Sequence, residues 1–428
     1  MMDIKFIQKN KELIKKVIKD KGIELNIDKL LKLDKERRDL ISKSDKLKAE
    51  MNKKAKTKPS PEEIKKLRKL SNGIKKLDQD VKKVEKEYDS LMLLVPNIYS
   101  EDTPVGSDES SNKEVYKWEE PTKFDFKPKD YIQLGRDLDI IDLEAGAKTS
   151  GYRGYYLKNE AAQLHFAVLW YAFNKIIKKG FTPMVPPTLL REFALIGSGH
   201  FPTGKEDVYQ IGNPGRLANG TSIKNPIFLA GTSEPSLLAY YAGKTFKEEE
   251  LPIKLCGFSQ CYRSEVGSYG KDIKGLYRIH EFMKVEQVVL CRNDLKESNG
   301  WLEKFREIAQ EILKDLKLPH RVIQICTGDM GVGKYKMYDI ETWMSSRNGY
   351  GETHSDSNLT DWQTRRLNIK YKTKKGKVKL AHALNNTVIA SPRILIAILE
   401  NYQQKDGSIV IPKVLKKYVG KDRIERRK

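Results

Sequence analysis

The side chains best suited to bring two anions together lie in a few short runs. Arg263 sits in Phe258-Ser259-Gln260-Cys261-Tyr262-Arg263-Ser264-Glu265, and Arg393 follows Ala390-Ser391-Pro392. Arginine is always charged and planar, and it binds carboxylate or phosphate through two parallel hydrogen bonds. It can therefore neutralise a reacting pair without itself reacting. Carboxylates and hydroxyls accompany these arginines: Glu286, Thr387, the segment Gly231-Thr232-Ser233-Glu234, and Glu352-Thr353-His354-Ser355, which sets a carboxylate and a hydroxyl three apart. Each of these also has an ordinary reading. A lone strand arginine commonly makes a surface ion pair, Phe282 suits a core, Arg393 suits a helix first turn, Glu352 to Ser355 suits a polar turn, and Thr232 to Pro235 suits a helix N-cap with proline at N1. Locally, both readings stand.

Several other chemistries are excluded. Neither GxxxxGK[ST] nor GxGxxG occurs, so a nucleotide would not be held by a P-loop or a Rossmann turn. The four cysteines (256, 261, 291 and 326) lack CxxC spacing and the six histidines form no ligand-like pair, so neither zinc nor a disulfide framework is expected. The longest apolar runs, Leu91 to Val95 and Ile394 to Leu399, are far short of the ~20 residues of a bilayer span. The N-terminus is Lys-rich and already acidic at Asp3 and Glu12, which predicts neither a secretory signal nor a mitochondrial presequence. A protein of a reducing, cytoplasmic compartment is expected.

The elements that must position these residues form an α+β domain over 127–428. Leu251 to Ser264 and Arg278 to Cys291 read as two strands joined by a Gly-, Lys- and Ser-rich loop, Glu265 to Tyr277. Tyr338, Ile340, Thr342 and Met344 alternate with Asp339, Glu341 and Trp343, a half-buried strand with carboxylates on one face. Gln163 to Lys179 predicts a helix ended by Gly180, and Ile227 to Ala230 a short buried strand. Ser391 and Pro392 predict the N-cap and N1 of a helix running on to about Gln404. Residues 101–126, rich in Pro, Gly, Ser and acids, predict a linker.

Residues 1–100 form a separate unit. They hold 28 Lys and Arg against 17 Asp and Glu, half of the chain's net charge of +22. Leu30, Leu33, Arg37, Leu40, Ser44, Leu47 and Met51 step by three and four, as do Leu67, Leu70, Ile74, Leu77, Val81, Val84, Tyr88 and Leu91. These are the seams of two long helices, broken at Pro59 and Pro61, with Ser60 as N-cap and Glu63 placed for a capping box. An antiparallel hairpin about 45 Å long follows at 1.5 Å per residue. Nothing acidic lies between Glu50 and Glu62, so Lys53, Lys54, Lys56 and Lys58 gather at a tip that i,i+4 pairing is not expected to neutralise. A solvated coiled-coil face is the plain reading. A rigid arm with a basic end also suits the phosphates of double-helical, shape-read RNA. The last sixteen residues carry a further net +6, read as a solvated end.

Taken together, the runs resemble a known family. Phe258 to Glu265, the loop, and Gly275-Leu276-Tyr277-Arg278-Ile279-His280-Glu281-Phe282-Met283-Lys284-Val285-Glu286 resemble motif 2 of class II aminoacyl-tRNA synthetases. Gly180-Phe181 with Pro187 looks like motif 1, and His382-Ala383-Leu384-Asn385-Asn386-Thr387 through Arg393 to Tyr402 resembles motif 3. Thr232-Ser233-Glu234 looks like the serine-binding TxE segment of the seryl members, whose N-terminal helical hairpin is also matched here. The resemblance covers essentially the whole chain. Three departures stand out: Asn386 to Ile389 where glycines are frequent, Asp356 where a small residue or cysteine is common, and Glu281 where glutamine is common.

The resemblance implies an antiparallel sheet flanked by helices, a homodimer formed around Gly180 to Pro187, and ATP-dependent loading of serine onto tRNA(Ser), with selenocysteine tRNA left open as a second acceptor. It also implies roles. Arg263 would bridge the serine carboxylate and the α-phosphate. Glu265 would meet the adenine edge, with the Ser264 and Ile279 backbones completing the seat. Phe282 and Arg393 would sandwich the base, and Arg278 would reach the terminal phosphates. Glu352 and Ser355 would hold Mg²⁺, with Thr353 and His354 as neighbours in the ATP site. Thr232, Ser233, Glu234, Glu286 and Thr387 would take the serine, and Lys271 and Lys274 in the long loop would meet the acceptor end. Relatives that load carrier proteins lack the arm. A non-catalytic relative would have lost Arg263, Glu286 or Arg393, and all three are present.

Overall fold

The stepped apolar pattern of the first hundred residues does become two long helices, α3 (Ile27–Lys54) and α4 (Pro61–Leu94), 28 and 34 residues long. The computed structural model describes residues 2–54, 61–266 and 275–427. Ser60, Lys56, Lys58, Lys271 and Lys274 lie outside the described residues. Asn26 opens α3 by accepting the Lys29 N–H at 3.0 Å, and Pro61, which lacks an N–H, begins α4 where that donor would be unused anyway. The seam buries Leu30, Leu33, Ser44, Ile74, Val84, Tyr88 and Met92. Arg37, a charged residue on the seam, lays its guanidinium over the Tyr88 ring at 4.8 Å.

Two short helices absent from the sequence reading, α1 (Ile4–Lys9) and α2 (Lys11–Asp20), complete this unit. Their Ile7 and Ile14 are fully buried against the α3 and α4 residues, so the root of the arm is a small core of its own. Towards the tip one expectation is corrected. Lys54 pairs with Glu50 at 2.6 Å, four residues back, so helical pairing does reach the basic end. Both side chains are about half exposed, and such a pair contributes little.

Contacts divide the chain into Met1–Ile98 and Tyr99–Lys428. The larger unit is built on an eight-stranded sheet. In spatial order its strands are Lys113–Trp118, His320–Gln324, Lys336–Met344, Gly349–Asn358, His382–Ser391, Glu281–Cys291, Ile253–Tyr262 and Thr182–Met184. Only the last pairing is parallel. One face is covered by the helices Asn159–Lys178 and Leu295–Asp315, which bury Leu164, Val168, Phe305 and Ile312 with Val285, Val289, Ile340 and Leu384 of the sheet. Strand residues alternate between faces, so their neighbours Lys284, Glu286 and Asp339 point to the opposite side.

The linker reading of 101–126 is corrected here. Lys113–Trp118 is an edge strand paired antiparallel with His320–Gln324, and Cys326 N–H donates to Asn112 Oδ1 at 2.8 Å. The basic end is corrected as well. Leu415 and Ile424 are fully buried, Lys421 pairs with Glu160 at 2.5 Å and Arg427 does so at 3.2 Å. Ser391 ends a strand instead of capping a helix, and that helix runs from Arg393 to Asn401 with Pro392 at its N-cap.

Candidate active site

Three alternate residues of the Glu281–Cys291 strand create the floor of the site. Phe282, Lys284 and Glu286 share one face because strand side chains repeat every second residue. The neighbouring strand sets Thr387 directly opposite Glu286 and Ala390 opposite Lys284. Arg263 follows the strand on the other side, held by a backbone N–H bond to the His280 carbonyl at 2.9 Å. Its guanidinium lies 5.4 Å from the Phe282 ring centroid, and Nε donates to the Gly231 carbonyl at 3.3 Å. Arg263, Phe282, Lys284, Thr387, Glu352 and Arg393 all line one cavity. The motif residues, some 130 positions apart in the chain, therefore converge.

Arg393 is aimed into this cavity by three contacts. It donates to the Tyr277 carbonyl at 3.2 Å and to both the Glu352 carbonyl and carboxylate at 3.1 Å. Its flat face lies over the Tyr277 ring at 4.5 Å, an aromatic with no role in the sequence reading. Glu265, in the left-handed region at φ 52°, pairs with Arg278 at 3.3 Å. Ile279 is buried on the same wall. Ser264 departs from expectation. Its N–H goes to the Asp207 carbonyl at 3.1 Å and its hydroxyl to the Glu206 carbonyl at 2.6 Å, so both of its donors are engaged by protein.

The residues expected around serine are brought together in part. Glu234 is buried and accepts from Gln363 and Asn385, each at 2.6 Å. Thr232 Oγ1 accepts the Glu234 N–H at 3.4 Å, but the helix starts at Glu234 with Ser233 as an N-cap whose side chain makes no cap bond and with Pro235 as its second residue, which corrects the expected N-cap with proline at N1. Ser233 packs over Gly257, the cross-strand partner of Glu286: a Cβ built on Gly257 would come within 2.6 Å of its hydroxyl, which is buried without a hydrogen-bond partner on the Glu286 face of the sheet.

Glu286 is nearly inaccessible and pairs with Lys284 at 2.6 Å, while Thr387 donates to it at 3.4 Å. Burial pushes the Glu286 carboxyl upward, and Lys284 pulls it back. Lys284 lies inside the recognised motif yet carried no role in the sequence reading. Its 6% side-chain exposure is visible only once the strand has a partner on each side.

The candidate metal residues Glu352 and Ser355 both sit on the Gly349–Asn358 strand, with Ser355 opposite Asp339 and Glu352 opposite Glu341 on its neighbour. A register shift between Ile340 and Glu341 leaves Thr353 without a cross-strand partner, and Thr353 and His354 are both buried while lining the same cavity as Arg263 and Arg393, which Ser355 does not line. Thr353 Oγ1 bonds Thr342 Oγ1 at 2.7 Å, and His354 Nδ1 meets Thr353 Oγ1 at 2.9 Å. Burial pulls His354 down to about 3, so it is neutral. Asp339 is a further carboxylate, without a site role in the sequence reading. Its Oδ1 is buried without a hydrogen-bond partner, and burial together with repulsion from Glu352 raises its carboxyl well above the ordinary range. Two carboxylates and a hydroxyl supply only oxygen donors, which suits a hard divalent cation.

Residues 1–99 match the model of the seryl-tRNA synthetase N-terminal domain, and residues 222–402 match that of the class II tRNA synthetase core domain (G, H, P, S and T). The serine–tRNA ligase of Deinococcus radiodurans is 42% identical over 426 residues, 98% of each chain. That of Treponema denticola is 42% identical, covering 99% of this chain and all of its own. The crystal structure of seryl-tRNA synthetase from Pyrococcus horikoshii, complexed with ATP, superposes with a TM-score of 0.90 at 36% identity over the full length of both chains. With an arm, a motif-built cavity and near-complete coverage by such relatives, the chain belongs to the seryl-tRNA synthetase family.

Proposed function

We propose that this chain activates L-serine with ATP to seryl-adenylate, releasing pyrophosphate, and then passes serine to the 3′-terminal ribose hydroxyl of tRNA(Ser), releasing AMP. The observation that carries this reading is the meeting of Arg263 and Arg393 with the Lys284–Glu286–Thr387 cluster in one cavity. In the first step the serine carboxylate attacks the α-phosphorus in line while the pyrophosphate leaves. Two anions must approach, so the step needs fixed positive charge and alignment more than a proton shuttle. Arg263 lies on the wall between Gly231 and Phe282, where it can hold carboxylate and phosphate together. Phe282 and Arg393 offer a ring and a cation to an adenine between them, and Arg278 is available to the outer phosphates.

Glu286 and Glu234 receive the serine ammonium, and Thr232 and Thr387 the hydroxyl. An amino acid lacking that hydroxyl leaves buried polar groups unpaired, which rejects alanine. Glu352 and Ser355, with Asp339 beside them, would hold Mg²⁺, which when bound draws charge from the phosphates. The basic hairpin of the N-terminal unit takes the tRNA by shape and backbone. A homodimer is supported by the exposure of Val185 (87%), Phe166 and Trp170 in and near the motif 1 segment. The reaction belongs to the cytoplasm, where tRNA is loaded. The test is ATP–pyrophosphate exchange with serine, threonine, alanine and glycine. Exchange dependent on serine, and at least about a hundredfold weaker with alanine, is expected; equal exchange with alanine refutes the serine assignment.

A further inference from the structure

The hairpin formed by Lys370–Lys372 and Val378–Leu380 carries the densest basic surface of the larger unit and has no part in the chemistry above. Between Asp361 and Glu400 the chain contains no acid, yet Lys370, Lys372, Lys374, Lys375, Lys377 and Lys379 fall within it. All but Lys370 are exposed, and none of the six is ion-paired among the described residues. The turn is rigidly closed. Thr373 N–H donates to the Lys377 carbonyl and Gly376 N–H to the Thr373 carbonyl, both at 2.8 Å, with Gly376 at φ 79°. Glu248, the carboxylate that touches the turn, is engaged by the Lys374 N–H at 2.8 Å.

One plain reading is that lysines guard an exposed strand edge against pairing with other chains. The topology speaks against it. The two edge strands of this three-stranded sheet are Val378–Leu380, which holds only Lys379, and Thr245–Lys247, which holds only Lys247. Lys370 and Lys372 are on the central strand, and Lys374, Lys375 and Lys377 are in the turn. Beyond the hairpin the charge becomes mixed. Lys379 lines a groove in which Arg292, Lys296 and Lys304 stand beside Glu248, Asp294 and Glu297, with Arg292 paired to Glu297 at 2.6 Å, so the unneutralised lysines are concentrated on the hairpin itself. Leu380 leads after one residue into the strand that carries Thr387, so the hairpin stands roughly 25 Å from the serine site at ~3.3 Å per residue. RNA whose 3′ end enters the cavity has its following backbone within that reach.

We infer that the 370–380 hairpin is a second RNA-binding surface, which grips backbone phosphates of the tRNA near the end being loaded. The inference rests on the tRNA reading above. It is tested on the full-length protein with K374Q/K375Q/K377Q, whose side chains lie in the turn outside the paired strands. The measurements are tRNA(Ser) affinity across a salt series, serine-dependent pyrophosphate exchange and sedimentation. Exchange is expected to stay as in the parent, tRNA affinity to fall roughly tenfold or more, and the salt slope to drop by about 2, at ~0.7–0.9 per lost phosphate contact. The arginine triple, K374R/K375R/K377R, retains binding. Unchanged affinity and slope overturn the inference, as does unchanged affinity with new self-association, which assigns the lysines to edge protection. Loss of exchange in the glutamine variant but not in the arginine one also overturns it, because the lysines then serve the reaction centre. A parent protein that fails to bind tRNA(Ser) at all overturns the functional reading first, an outcome visible before any variant is made.

Discussion

Replacing Lys284 by methionine breaks a buried ion pair at the floor of the cavity. Lys284 and Glu286 have side chains only 6% and 3% exposed and meet at 2.6 Å. Removing one partner of such a pair leaves an uncompensated charge and costs about 3–5 kcal/mol, unless the survivor becomes neutral. Glu286 can do so by taking a proton, since burial already raises its carboxyl and Lys284 is the chief influence lowering it. The sign follows. A carboxyl raised in the folded state favours folding below its unfolded value, near 4.3, and that contribution is lost as pH climbs through the folded value. Without Lys284 the folded value rises further, so the penalty of K284M is small at about pH 5.5 and approaches its full size at about pH 8. Urea unfolding at both conditions reads this directly. The protonated Glu286 no longer attracts an ammonium, so serine KM in pyrophosphate exchange rises at least about tenfold, and most at low pH, while K284R keeps much of the activity. A penalty below about 1 kcal/mol at both pH values, with serine KM unchanged, would refute the coupling of the two residues.

Three further outcomes are expected. R263K loses roughly a hundredfold or more of exchange with its fold intact, because an ammonium cannot span carboxylate and phosphate as a guanidinium does; near-parental exchange would remove Arg263 from the centre of the mechanism. Deleting Met1–Ile98 as a whole, which takes α1 and α2 with the helices they pack on, leaves exchange nearly intact and abolishes tRNA loading; loss of exchange as well would make the arm a folding element. D356N changes stability with a defined sign. Asp356 is fully buried with both carboxylate oxygens lacking a hydrogen-bond partner, and burial raises it well above the ordinary range. Its parent form therefore loses stability with rising pH, so D356N matches the parent near pH 5 and exceeds it by at least about 1 kcal/mol near pH 8 in the same unfolding assay.

Features that depend on local spacing were legible in the chain. The three-and-four steps of α3 and α4 report their own seam, and the motif strands announce themselves because their residues occur in fixed order. Features that depend on distant partners were not. Lys113–Trp118 resembles a linker until His320–Gln324, some two hundred residues later, supplies the ladder that makes it a strand. Ile7 and Ile14 sit in helices too short to show a seam of their own, and only the root of the arm buries them.

The site was legible to the level of residue type but not of orientation. Thr353 and Ser355 look equivalent in sequence, yet past the bulge Thr353 is buried on the cavity wall with its hydroxyl on Thr342, while Ser355 stands opposite Asp339 and does not line the cavity. Ser264 carries the right hydroxyl, but the Glu206 carbonyl claims it, whereas the Ser233 hydroxyl is buried over Gly257 without a hydrogen-bond partner. Lys284 has no role in the sequence reading, and Asp339 reads only as one carboxylate on a half-buried strand face, because a charged residue on a strand ordinarily faces water. The burial of Lys284 and of the Asp339 Oδ1 is a property of the assembled sheet.

The most direct test is to supply the purified full-length chain with ATP, Mg²⁺ and labelled serine, and to compare tRNA(Ser) with a tRNA for another amino acid. Stoichiometric serine on the 3′ end of tRNA(Ser), none on the other tRNA, and one AMP per serine attached are expected. Adenylate formed from serine without transfer to any tRNA, or transfer of a different amino acid in its place, would contradict the proposed reaction.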